Sequence, residues 1–262
     1  MRHSFGVIVV VLALMCTGAA GGAAPPLFVL PDLVQRAPQA VDVVWGGPPD
    51  QPRAQLTFAS NVENTGWGPL VVVGHRASRR VPTMQADQLI RKRTGGFKRV
   101  PRVGRLRYNV DPTHSHWHLQ PFERYELRTL DGQQIVRDHK SGFCLTSDHI
   151  SELPTLGPRG TRLIGRNRCG LSAPKALHVV EGTAVGFGDI YPPVKEGQYV
   201  DVTGVPPGDY DLVNRVNVGR RLRELNYAND DASLRIRLLP PENPGDPPGV
   251  IVLRKCEIGT QC

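Results

Sequence analysis

The stretch RAQLTFASNVEN, residues 53–64, alternates apolar and polar positions before TGWG turns the chain and PLVVVG continues as an apolar run. A period of two predicts a half-buried strand, and the apolar run after the turn a buried one. FERYELRTL alternates in the same way, DGQQ supplies a turn, and IVRDHKSGFCL resumes, which predicts a hairpin. QYVDVTGV, then PPG, then DYDLVNRVNV predicts a second hairpin, from its β-branched content and its turn residues. ASLRIRLL reads as a further strand. PPENPGDPPG cannot hold a sheet position and reads as a linker to the short tail VIVLRKCEIGTQC. Long amphipathic helical patterns and internal repeats are absent. The expected fold is mainly β: a single-domain antiparallel β-sandwich-like core with long loops.

The first residues change the boundaries of that domain. Arg2 precedes the apolar residues 7–15, and an Ala/Gly run follows. This order predicts a secretory signal peptide over residues 1–24, cleaved between Ala20 and Ala24, and a mature domain over 25–262. No other apolar run approaches membrane length, so a transmembrane segment is not expected. Removing Arg2 lowers the formal charge from +8 to +7. A basic exported chain is open to electrostatic association with anionic cell-wall polymer, although scattered arginines also serve solubility alone. Sparse aromatic residues and the lack of a recognisable module argue against nucleic acid as a partner. The expected location is secreted or associated with the cell envelope.

Four cysteines remain after the leader: Cys144, Cys169, Cys256 and Cys262. In an exported chain they suggest two disulfides, for which three connectivities are open. Cys144–Cys169 and Cys256–Cys262 are the expected pairs, since the alternatives tie the tail back across the domain. No CxxC pair is present, which weakens a zinc reading of the cysteines.

Candidate chemistry concentrates in THSHWHL, residues 113–119, where His114, His116 and His118 occupy alternate positions. On a strand such positions share one face, with neighbours about 6–7 Å apart along the chain. Three imidazoles on one face suit Cu(II) or Zn(II) and are too soft a set for calcium or magnesium. Spacing leaves copper and zinc level. Trp117, between two of the histidines, is expected to point the other way into packing.

The residues around this cluster resemble the catalytic domain of the lysyl oxidase family. PTHSHWHLQPFERYEL and the later RDHKSGFCL are similar to its copper-binding strand and to the segment carrying its cofactor lysine. LPDLV, GFGDIY, YVDVTGVPPGDYDL and LNYANDD are similar to further family segments, in family order, over most of the mature chain. The resemblance implies copper on His114, His116 and His118, and a lysine tyrosylquinone made from Lys140 and Tyr191. It also implies a calcium site from Asp32, the Leu33 carbonyl, Glu224, Asn226, Asn229 and Asp230, closing the domain's start on its end. The implied activity is oxidative deamination of primary amines, such as lysine side chains of extracellular proteins, to aldehydes with dioxygen, releasing ammonia and hydrogen peroxide.

This sequence departs from the family in several places. Thr113 stands where animal members carry a cysteine, Arg124 where they carry a histidine, and Asn226 where an aspartate is usual. Asp189, two residues before Tyr191, is a carboxylate without an assigned role. A non-catalytic metal-binding module of the same fold, and a zinc hydrolase using a metal-bound water, are the competing readings. Joint retention of three histidines, Lys140 and Tyr191 favours the oxidase.

Overall fold

The computed structural model describes residues 27–110, 115–137, 142–162, 169–193 and 197–262. The expected signal peptide, His114 and Lys140 lie outside the described residues. The strands in chain order begin with β1 (Phe28–Val29), β2 (Leu33–Gln35), β3 (Gln39–Gly46), β4 (Arg53–Asn64), β5 (Leu70–His75) and β6 (Thr83–Lys92). They continue with β7 (Phe97–Tyr108), β8 (Trp117–Gln120), β9 (Glu123–Arg128), β10 (Gln134–Arg137), β11 (His149–Ile150) and β12 (His178–Thr183). The last are β13 (Phe187–Tyr191), β14 (Tyr199–Asp201), β15 (Gly208–Val216), β16 (Asp231–Leu239) and β17 (Gly249–Cys256).

All pairings between these strands are antiparallel, in three sheets. One runs β12-β5-β6-β7-β8, with β1 added on β6; a second runs β10-β9-β15-β16-β17. The third is organised on β4, which pairs with β2, β3, β13 and β14. The mainly β expectation holds, and no described segment is helical.

One continuous apolar core joins the sheets, including Leu56 and Phe58 of β4, Leu106 of β7, Trp117 and Leu119 of β8, Leu127 of β9 and Ile236 of β16. Strand β16 shows why alternation specifies a face. Leu234, Ile236 and Leu238 are buried, while Arg235 and Arg237 pair with Asp211 and Asp209 directly opposite on β15. A one-residue slip would bring both arginines inward, so burial fixes the register.

Two expectations need correction. The predicted QYVDVTGV–DYDLVNRVNV hairpin does not form: β14 pairs with β4, whereas β15 lies between β9 and β16. The PPG turn therefore carries the chain from one sheet to another, because both segments have better-matched apolar partners elsewhere. The tail beyond the proline-rich linker is more than a tail, since β17 pairs along β16 as an edge strand. The first predicted hairpin is present as β9 and β10. Both disulfides form as expected, Cys144–Cys169 and Cys256–Cys262.

Candidate active site

Strand β8 is held on both sides. Along β7 it registers Trp117 against Tyr108 and His118 against Arg107. On its other side, Leu119 and Phe143 exchange both backbone hydrogen bonds, at 2.8 and 3.1 Å. Trp117 is fully buried, as expected, with its indole N–H donating to the Ala173 carbonyl and the Arg76 guanidinium over its ring. The Trp117 N–H donates to the Cys169 carbonyl, so the Cys144–Cys169 disulfide ties the partner segment back to the histidine strand.

His116 and His118 are both buried, and their ring centroids lie 4.8 Å apart. Two imidazoles binding one ion at about 2 Å from each nitrogen have centroids on the order of 4–5 Å apart, so this pair fits a shared metal. Among the described residues no group of three His, Cys, Asp or Glu side chains is close enough to hold an ion. The third nominated ligand, His114, falls outside them.

Tyr191 ends β13 and is buried. Its hydroxyl accepts a hydrogen bond from the Cys144 N–H at 2.9 Å and lies 3.3 Å from the Cys144 carbonyl, to which it can donate. Phe143 packs edge-on against its ring, with centroids 4.6 Å apart. Burial first, and the Asp189 carboxylate second, push the phenol well above its ordinary pKa, so it is protonated at neutral pH.

Residues 142–144 thus connect two nominated groups. A Cβ on Gly142 would lie 3.2 Å from the His118 Cβ and 2.7 Å from the Gln120 Cγ, so the backbone there passes directly over the histidine strand. Two residues on, Cys144 holds the Tyr191 hydroxyl. Lys140 precedes Gly142 by two residues in the sequence.

Two buried carboxyls flank this junction. Asp189 lies 3.0 Å from the Thr146 hydroxyl, and that hydroxyl lies 2.6 Å from the exposed Asp148 carboxylate. Burial, then the charge of Asp148, raise Asp189 well above the usual carboxylate range. Glu181 on β12 is raised in the same direction by burial, and the Leu145 N–H points at it from 3.5 Å. Sequence reasoning passed over Glu181. The HVVEGT strand around it offered one signal, a lone acid among apolar positions.

The nominated calcium residues come together from the chain's two ends. The Leu33 N–H donates to Glu224 Oε2 at 2.8 Å, and Asn229 Nδ2 donates to Asp32 Oδ1 at 3.0 Å. Asp32, Glu224, Asn229 and Asp230 are buried, and neither Asp230 Oδ1 nor Asn229 Oδ1 has a hydrogen-bond partner. Burial first raises both the Glu224 and Asp230 carboxyls, helped by the charge of Asp230 at Glu224 and of Asp231 at Asp230, and burial raises Asp32. Orphaned oxygens beside crowded carboxyls fit a hard cation in donor chemistry. Asn226 is exposed, and its side-chain carbonyl accepts from the Ala228 N–H instead.

A lysyl oxidase family model matches residues 75–240, and the chain belongs to the lysyl oxidase family. Lysyl oxidase homolog 2 of Xenopus tropicalis is 28% identical over 138 residues, covering 52% of this chain and 16% of that protein. Lysyl oxidase homolog 4 of Mus musculus is 31% identical over 131 residues, covering 50% and 15%. Lysyl oxidase homolog 2B of Danio rerio is 26% identical over 191 residues, covering 72% and 19%. The matched stretch therefore spans less than a fifth of the length of these relatives. The family match includes every nominated copper, cofactor and calcium residue except Asp32 and Leu33.

Proposed function

We propose that this chain is an exported copper-dependent amine oxidase of the lysyl oxidase type. His114, His116 and His118 hold the copper, and Lys140 and Tyr191 form the lysine tyrosylquinone. The observation that carries the reading is the short bridge at residues 142–144, bonded to the His118 strand at one end and to the Tyr191 hydroxyl at the other. Lys140 lies two residues before that bridge in the sequence.

The chemistry such a centre supplies is oxidation of the tyrosine ring, its joining to the lysine amine, and oxidative deamination of a primary amine at the expense of dioxygen. The surrounding residues do the rest. Phe143 and the Cys144 backbone fix the ring and its hydroxyl, so the phenol is oriented before any chemistry begins. Burial excludes bulk water from the ring edge. Asp189, whose carboxyl is raised by burial and by Asp148, shares the Thr146 hydroxyl with the exposed Asp148 and is placed to hold a proton between the interior and the surface. Disulfides support an oxidising compartment, in keeping with a cleaved leader over residues 1–24. Calcium on Asp32, the Leu33 carbonyl, Glu224, Asn229 and Asp230 clips the domain's ends, and Asn226, exposed and bonded to the Ala228 N–H, is left out of the set. The substrate class is a primary amine, including lysine side chains of extracellular proteins.

The test is a peptide map of copper-loaded, air-exposed protein with its disulfides reduced, before and after phenylhydrazine. A cross-linked peptide pair containing Lys140 and Tyr191, shifted in mass by the hydrazine, is the expected result. Two unmodified peptides from protein shown to carry copper would overturn the reading in favour of the non-catalytic metal-binding module.

A further inference from the structure

Beside the histidine strand, on the face formed by β6 and β7, lies a concavity of about 830 Å³. Arg76, Arg102, Arg105 and Arg221 line it together with Gln120 and Pro121, and no aspartate or glutamate among the described residues does. A wall with four guanidiniums and no carboxylate is unusual in a chain whose other arginines so often pair across strands.

The wall is built, not merely decorated. The β6–β7 ladder shifts register between Ala86 and Gln88, so residues 101–103 bulge opposite Asp87. Arg102 sits at φ +57°, a left-handed conformation that a long side chain adopts only when something holds it there. The holder is Asp87, buried, whose carboxylate accepts the Arg102 N–H at 2.7 Å. A bulge of this kind re-aims side chains, and here Arg102 lines the concavity. The Asp87 charge is itself matched by Arg99. Arg102, Arg105 and Arg221 are exposed and make no ion pair among the described residues.

Arg76 adds a different kind of charge. It is buried, and its guanidinium donates to the carbonyls of Ala176, Val81 and Pro174 at 2.8, 2.8 and 2.6 Å. No carboxylate pairs with it among the described residues; the buried cation is balanced by these carbonyl dipoles and by the Trp117 ring, 4.7 Å away. Such a charge at the base of a concave, low-dielectric wall concentrates positive potential outward, where three further guanidiniums continue it.

We infer that this concavity binds phosphate-type oxyanions, presented in series on a linear polymer. Guanidinium forks match the paired oxygens of a phosphate, and the volume exceeds what one such ion fills. The inference is independent of the oxidase reading. It does localise, to one face reached by Gln120 at the end of the histidine strand, the anionic partner that overall charge leaves unplaced.

The experiment is isothermal titration of the full chain with inorganic phosphate and with short-chain polyphosphate, each at several sodium chloride concentrations. Polyphosphate is expected to bind with an affinity that falls steeply with salt. The triple variant R102Q/R105Q/R221Q should lose at least about 30-fold in affinity and much of the salt slope, by analogy with counterion release on nucleic acids. A control triple with the same charge loss elsewhere, R53Q/R254Q/K255Q, should change affinity less than about threefold if the site is specific. Equal weakening by both triples, or no saturable binding, would overturn the pocket. Phosphate bound as tightly as the polymer, and lost in the pocket triple, would overturn the polymer part and leave a single-ion site. Arg221→Glu, a single exposed change, provides the same comparison should the pocket triple fail to fold.

Discussion

The histidine strand and the acidic cluster at the domain's ends are both candidate metal sites, and they are assembled in opposite ways. His116 and His118 are two residues apart on one short stretch, and ordinary strand geometry gathers them. Asp32 and Leu33 meet Glu224 and Asn229 only after the whole chain has folded, across 191 residues in the case of Leu33 and Glu224. The first site is prepaid locally and can be read as a motif. The second depends on distant segments being in place, and it gathers carboxyls whose charged form burial disfavours. The physical difference predicts different sensitivities: the histidine strand should fail through its ligands and its bridge, the acidic cluster through pH and the supply of cation.

The largest effect should come from the group that joins both halves of the histidine site. Tyr191→Phe removes the hydroxyl that could become the quinone, and amine-dependent peroxide release should fall to background, with no hydrazine-labelled cross-link. Losing its contacts with Cys144 should cost only about 1–2 kcal/mol in urea unfolding. A Tyr191→Phe protein that keeps amine turnover would break the assignment. His118→Ala should lower copper affinity on the order of 100-fold or more, a larger loss than removing an outer-shell partner usually causes. Equilibrium dialysis against a competing chelator measures it, and unchanged affinity would move the metal elsewhere.

The bridge gives the next effect. The Cys144–Cys169 disulfide closes a sequence separation of 25 and Cys256–Cys262 one of 6. Loop entropy alone makes the first worth about 3.5 kcal/mol and the second about 2. Replacing Cys144 and Cys169 together by serine should therefore destabilise more than replacing Cys256 and Cys262. It should also weaken copper binding, because Trp117 and Tyr191 lose a shared anchor. Equal effects on copper from both double variants would show that the bridge does not position the site.

The acidic cluster should respond most gently. Its carboxyls are raised in the folded state, so between the usual carboxylate range and their folded values the native chain holds protons that the unfolded chain has released. Their contribution is therefore fully present at low pH and is lost as pH rises through and above the usual range. Calcium binds the ionised form and should restore that loss, by about 2.7 kcal/mol at a hundredfold excess over Kd. Thermal melts at pH 5 and pH 8, with and without calcium, check both signs. Glu224→Gln should remove most of the calcium effect, and a melting temperature blind to calcium at pH 8 would set the site aside.

Much of the histidine site is legible in the sequence. The alternating histidines, the burial of Trp117 and the pairing of the four cysteines follow from period-two geometry and chain economy. The predicted strands were legible where alternation also matched burial, as in Leu234, Ile236 and Leu238 of β16. Partner choice was not, because the PPG turn satisfies hairpin chemistry whether or not the flanking strands pair with each other. Glu181 and the left-handed Arg102 were equally invisible, since burial of one acid and a bulge in one ladder depend on what lies opposite.

By itself, then, the sequence determined that this protein is mainly β, disulfide-linked and equipped with a strand of alternating histidines, a candidate metal site, since those properties depend on residue type and near-neighbour spacing. Only the tertiary structure decided which strands adjoin, that Tyr191 is held by the backbone of Cys144 next to the histidines, and that four arginines share one concavity. Contacts between distant segments are fixed by the shared burial of apolar faces, and no local pattern encodes which two faces will meet.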